Sequence, residues 1–154
     1  MSTTPPPPKY IYKILPPSPP PPSPLPLSLP LSALDARDNF IHMSTSVQIL
    51  GTLNNFFAST PHVYILRVEY AKVQERIKWE MAKGKRPEER GGCWDTEGLM
   101  GGFPHIYEVT ADEEGKGTLR LGRKEVESVG KWERVGEKWS GDGWPFAEDV
   151  PKEA

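Results

Sequence analysis

Apolar and polar positions alternate with a period of two over several stretches of the chain, and each alternation predicts a strand. Residues 63–70 are the most regular. Tyr64, Leu66, Val68 and Tyr70 form one apolar face, and Val63, Ile65, Arg67 and Glu69 form a mixed one. After a turn through residues 72–74, Ile77, Trp79 and Met81 alternate with Arg76, Lys78 and Glu80. Residues 10–15 are aromatic and β-branched, with Tyr10, Tyr12 and Ile14 on one face. Residues 39–44 read as a short strand after a polar turn at 35–38. Residues 103–109 place Phe103, His105, Tyr107 and Val109 together, and residues 119–135 supply one or two more strands.

One stretch changes period. Ile49, Leu50, Leu53, Phe56 and Phe57 fall on one side of a 100° wheel, which predicts a helix over about 45–58. Ser44 or Thr45 caps it, Gly51 weakens it and Pro61 closes the segment. Several short strands, one main helix, no internal repeat and no βαβ rhythm make the class α+β with a mostly antiparallel sheet.

Composition changes the picture at both ends. The chain has 154 residues and 18 prolines, 13 of them before Leu31. Residues 1–9 read as a disordered Pro-rich N-terminus, and residues 16–30 as a stiff low-complexity loop at the end of the first strand. Residues 83–102, rich in Gly and basic side chains, read as an inserted surface loop. Residues 112–117 read as a charged turn, and residues 136–154, rich in Gly, Trp and acids, as a flexible tail. The remainder is enough for one domain.

Net charge is −2, which rules out a strongly basic nucleic-acid binder and leaves open a local phosphate- or nucleotide-facing patch. The charge is uneven: residues 1–61 carry +1, residues 62–93 carry +3 and residues 94–154 carry −6. No run approaches the roughly 18–20 apolar residues of a membrane span. The start has neither the basic-then-apolar order of a secretory signal nor the Arg-rich helix of a transit peptide, so a cytoplasmic protein is expected. A single cysteine, Cys93, excludes a disulfide framework and a Cys-based zinc site. It has no local base to activate it.

Common catalytic signatures are missing. There is no dinucleotide-binding glycine pattern, no phosphate-binding Walker loop, no zincin helix and no serine-hydrolase elbow. His62 follows Pro61 at a strand start and reads as solvent-facing, so no metal site is expected. Lys13, followed by Pro16, Pro17, Ser18 and Pro19, matches the basic-plus-P-x-x-P spacing of an SH3 ligand. A partner protein for the Pro-rich loop is one reading, and a spacer is the other.

Two motifs carry candidate chemistry. Residues 40–45 read Phe-Ile-His-Met-Ser-Thr, and residues 103–107 read Phe-Pro-His-Ile-Tyr. Each sets an imidazole in an apolar strand beside hydroxyl or phenol groups. His42 and His105 are the candidate catalytic pair. Ser44 and Thr45, at a helix start, have backbone donors suited to a phosphate or carboxylate. Trp79 and Glu80 add a ring and a carboxylate. For the histidines and for Trp79 the alternative is packing in the core.

These segments, in this order, resemble domain-of-unknown-function family 952. The family's pattern runs Tyr-Lys-Ile, Gly-Phe-Ile-His-hydrophobic-Ser-Thr, a hydrophobic strand, Arg-Trp-Glu and Phe-Pro-His-hydrophobic-Tyr. The similarity spans about residues 10–135. Asn39 stands where the family has Gly, the Pro-rich stretch stands where bacterial members carry a helix, and residues 83–102 are an insertion. The resemblance implies an ADP-ribosyltransferase-like fold, a split sheet with an NAD-type cleft between its halves. It further implies His42 on the nicotinamide-side ribose, Tyr107 or Trp79 stacked on nicotinamide, and Glu80 as the carboxylate. Some members of that superfamily lack a catalytic Glu, so activity does not follow from the fold. The expectation is a cleft that binds NAD or another nucleotide, with His42 and His105 on ribose or phosphate and Ser44, Thr45, Trp79, Glu80 and Tyr107 as binding residues. The alternative is a non-catalytic ligand- or protein-binding module that uses the Pro-rich loop.

Overall fold

A computed structural model describes residues 8–80, 103–107 and 119–151 of the chain. The inserted loop expected over 83–102, Cys93 within it, Val109 and the charged turn at 112–117 lie outside the described residues.

The strands form two three-stranded antiparallel sheets. In the first, β1 (Tyr10–Leu15) and β6 (Val126–Glu133) flank β3 (His62–Glu69). In the second, β2 (Ile41–His42) and β4 (Ile77–Glu80) flank β5 (Phe103–Ile106). A backbone bridge joins them: Tyr12 and Ser44 exchange two N–H···O bonds of 2.8 Å each. The structure is thus α+β with a divided antiparallel sheet.

The period of two explains the layering. One face of the first sheet carries Tyr10, Tyr12, Val63, Ile65 and Trp132, packed against Ile49, Leu50 and Leu53 of helix α2 (Ile49–Phe56). The other face carries Ile11, Leu66 and Val68, packed against Ile41 and Ile106 of the second sheet, with Ile77 and Trp79 beside them. Each such fully buried side chain contributes roughly 1.5–3 kcal/mol.

Several expectations change. The helix begins at Ile49 rather than 45. The four residues before it form a reciprocal turn, in which Thr45 Oγ1 accepts from the Gln48 N–H at 3.3 Å and Gln48 Oε1 accepts from the Thr45 N–H at 3.0 Å. Phe56, on the apolar side of the wheel, is 71% exposed. The wheel gives a direction but not how far the core extends along the axis. Residues 35–38, expected as a turn, belong to a short helix α1 (Ala33–Asp38), whose Ser32 hydroxyl accepts from the Asp35 N–H at 3.1 Å. The helix ends on Asn39 at φ 62°. That left-handed conformation suits Gly, and Asn is among the few side chains that tolerate it, which accounts for Asn at a position where the resemblance sets Gly.

The Pro-rich loop is fixed at its far end. The Leu29 N–H donates to the Leu121 carbonyl and the Arg123 N–H to the Pro26 carbonyl, both at 2.9 Å. A Cβ on Gly122 would lie 2.2 Å from the Leu27 carbonyl oxygen. The peptide bonds before Pro19 and Pro24 are cis.

Residues 136–151 do not trail off as a tail. Trp139 is fully buried. Its Nε1–H donates to the Phe57 carbonyl at 2.9 Å, and its backbone N–H donates to Asn54 Oδ1 at 2.9 Å. Trp132 meets Trp139 and Trp144 edge to face, at 5.2 and 4.9 Å between centroids. The Tyr12 hydroxyl donates to Asp149 Oδ2 at 2.8 Å. Isolated aromatic rings separated by Gly and acids show no period in sequence, yet each buries a large area. Trp139→Ala is expected to lower the unfolding free energy by about 3–5 kcal/mol in urea titration, whereas loss of a side chain from a loose tail would change it by less than ~0.5 kcal/mol.

Candidate functional site

The pleat of the second sheet separates packing from chemistry. Ile41, Ile77, Trp79 and Ile106 face the core. The alternate residues share the other face. The register sets His42 opposite His105, and His105 opposite Lys78, in one row across three strands. Glu80 lies one step away, opposite Phe103.

The predicted histidines therefore meet: their ring centroids are 5.2 Å apart. Phe40 lies against both, stacked on His105 at 4.1 Å with 18° between planes and tilted on His42 at 4.6 Å. It also touches the Tyr107 ring at 5.4 Å. Lys78 Nζ sits over Tyr107, 4.4 Å from its centroid.

The two imidazoles have different partners. His105 Nδ1 is 3.0 Å from Glu80 Oε1, and the Tyr107 hydroxyl donates to the same oxygen at 2.6 Å. Burial alone would raise the Glu80 carboxyl, but the hydrogen bonds from Tyr107 and His105 outweigh it and hold the group below its ordinary range. Burial pushes His105 down, against the opposing pull of Glu80. Burial, then Glu80, push the Tyr107 phenol up to about 12. At neutral pH the group is an ionised Glu80, a neutral His105 and an intact phenol. An ionised carboxylate only accepts, so His105 carries its proton on Nδ1. Nε2 is then the ring's acceptor.

His42 is clamped instead. Its Nδ1 lies 2.7 Å from Asp35 Oδ1 and its Nε2 3.1 Å from Asp38 Oδ2. Asp35 Oδ1 also accepts the His42 backbone N–H at 3.1 Å, and Asp35 Oδ2 takes Lys13 Nζ at 2.7 Å. Lys13 and Asp35 are both buried. Burial would raise Asp35, but the bonds from His42 and Lys13 prevail and hold it below its ordinary value. The ribose contact that the resemblance assigns to His42 is not the geometry found, because each ring nitrogen is taken up by a carboxylate.

Three further assignments change. Trp79 does not face this group: it packs on the core side and donates from Nε1 to the Tyr70 hydroxyl at 3.1 Å. Ser44 and Thr45 offer no anion cradle, since the Ser44 N–H goes to Tyr12 and the Thr45 N–H to Gln48. His105, Glu80 and Tyr107 do come together. Phe40, Lys78, Asp35 and Asp38 join them without having been singled out by their chemistry. Asp35 could have been found from Ser32-Ala33-Leu34-Asp35, an S-x-x-D helix start that points a carboxylate back along the first turn. Among the described residues no group of three or more metal-type side chains is arranged to hold an ion, and no helix is long and apolar enough to cross a membrane. The His42 side chain is 26% exposed and the Glu80 side chain 39%, so solvent reaches both.

The fold and this group define a small α+β domain with two three-stranded antiparallel sheets and a carboxylate–imidazole face on the second. The chain belongs to the family described as "Protein of unknown function (DUF952)", whose model matches residues 28–135. β1 precedes the matched segment. The chain is similar to protein CC0527 from Caulobacter crescentus. Its crystal structure has a TM-score of 0.53 and 23% identity, covering 84% of this chain and 91% of that one. Its solution NMR structure has a TM-score of 0.51, again with 23% identity, covering 84% and 90%. At that identity the likeness is one of fold. No curated protein matches the sequence.

The signs of the shifts predict acid lability in two stages. The unfolded chain protonates His105 near its ordinary 6.5 while the fold resists, so stability falls as pH drops below that value. Asp35 and Glu80 ionise more readily in the fold, so their contributions are present above about pH 4–4.5 and lost as pH falls through the lower folded values. Asp35→Ala is expected to cost about 3–5 kcal/mol at neutral pH, because it strands the buried Lys13, and to flatten the lower stage. Thermal melts from pH 8 to 3 check both.

Proposed function

We propose that the outer face of the second sheet binds a small nucleotide, NAD foremost, with Glu80, Tyr107 and Lys78 as its contacts and the buried His105 and Phe40 as the groups that position them. The supporting observation is the Glu80 carboxylate held by both His105 and Tyr107 beside the Phe40 ring. Hydrogen-bonding groups displaced from their ordinary protonation range and gathered with aromatic rings are the usual make-up of a ligand site. The partly exposed Glu80 carboxylate suits a ribose hydroxyl as donor, and the Tyr107 ring suits a planar base or nicotinamide. Lys78 offers a cation to a phosphate.

The choice of NAD rests on the resemblance to ADP-ribosyltransferase-like proteins. In that reading the two sheets are the halves of the split sheet. The ribose contact moves from His42 to Glu80, and the stacking ring is Tyr107 rather than Trp79. His42, held by Asp35 and Asp38, orients the row from the edge strand β2.

Titration with NAD, followed by calorimetry and by ligand NMR, is expected to show saturable binding below the millimolar range. Glu80→Gln and Tyr107→Phe, both small changes at partly exposed positions, are expected to weaken it at least about tenfold, or ~1.4 kcal/mol, with melting temperature held as a control. Absence of binding at millimolar NAD, or equal affinity in both variants, would overturn the proposal.

A further inference from the structure

The Pro-rich loop is separate from this site, and its chemistry points elsewhere. Its near end continues from β1, where Leu15 pairs with Tyr64. Its far end is held by the Leu29–Leu121 and Pro26–Arg123 backbone bonds, and by the contact of the Leu27 carbonyl with the bare Cα of Gly122. The Leu29 side chain packs on the second core cluster. Between these two feet, Pro19, Pro20 and Pro22 are exposed and Pro21 is half-buried. Four successive pyrrolidine rings fix four φ angles and leave no backbone donor, so the run has little conformational entropy left to lose on docking.

Charge then narrows the partner. An SH3 groove reads a basic residue beside its P-x-x-P ligand. Lys13, the cation at that spacing, is only 10% exposed in its side chain and is bonded to Asp35 at 2.7 Å. The next cation upstream, Lys9, precedes the whole of β1, and none occurs between Lys13 and Arg37. We propose that Pro19–Pro22 is a docking handle for a proline-reading domain whose groove is lined by Trp and Tyr and which needs no basic flanking residue. The rings supply flat apolar edges and the backbone carbonyls supply acceptors, the two things such a groove takes from its ligand.

The test uses the full chain against immobilised probes: WW domains, an EVH1 domain and a profilin, with SH3 domains for contrast. Saturable binding to at least one of the first three is expected, changing less than about threefold between low and high salt because no ion pair forms. Replacing Pro19, Pro20, Pro21 and Pro22 together by alanine is expected to weaken it at least about tenfold with an unchanged melting temperature, since these residues lie between the feet. Failure of all three probes, survival of binding in the tetra-alanine chain, or preference for SH3 domains dependent on Lys13 would each overturn the inference. NAD titration of the same variant separates the two readings, because the loop substitution leaves that site intact.

Discussion

The Asp35 carboxylate is the constraint on which the arrangement of this protein depends. One oxygen takes the buried Lys13 ammonium of β1, and the other takes both the backbone and the ring of His42 on β2. Two strands from different sheets are thereby tied to one short helix. Lys13 lies on the same side of β1 as Ile11 and Leu15, so it enters the layer between the sheets. A cation there is tolerable only while its partner is in place. A buried pair adds little net stability over apolar groups of similar size. What it supplies is register: β2 sits where Asp35 and Lys13 can meet, and His42 then falls opposite His105.

The second organising feature is the pleat of the short sheet. Residues 77–80 and 103–106 are each only four long, yet they serve two purposes by alternation. Their odd and even positions go to opposite faces, so Trp79 and Ile106 complete a core while Glu80 and His105 are presented away from it. A shift of one residue would exchange the two sets. Arg76 holds the strand ends against that shift. Its Nε donates to the Tyr107 carbonyl at 2.9 Å, and its own carbonyl accepts the Tyr107 N–H at 2.8 Å. Beyond Tyr107, Arg76 also reaches the Arg120 carbonyl and, at 3.4 Å, Glu125. The phenol is thus fixed by its backbone before it meets Glu80.

Local pattern carried much of this. The alternation in residues 63–70 gave β3 and both of its faces. The 100° spacing gave α2, and the Phe-Ile-His and Phe-Pro-His motifs gave the paired strands and the meeting of His42 with His105. These are short-range properties: a period and a residue type suffice, because the backbone repeats them wherever the segment goes. The same reasoning set Tyr107 beside the imidazoles, whereas Glu80 entered as a carboxylate near a strand end, and the fold brings it to His105 and Tyr107.

What local pattern could not carry was everything decided by a partner distant in the chain. Trp79 and Glu80 are adjacent in sequence, and only the layer above them determines that one is core and the other is not. His42 carries the same motif whether its nitrogens are open or held, and they are held because α1 brings Asp35 and Asp38 to it. Trp139 has no period at all, and its burial depends on the room left beside α2 and Trp132. The amino-acid sequence by itself determined the main strands and the body of α2, which follow from residues a few positions apart, and the family, which follows from the order of its motifs. Tertiary structure decided which side chains are buried and which are paired, because burial and hydrogen-bond pairing belong to residues that meet only after the sheets have closed on one another.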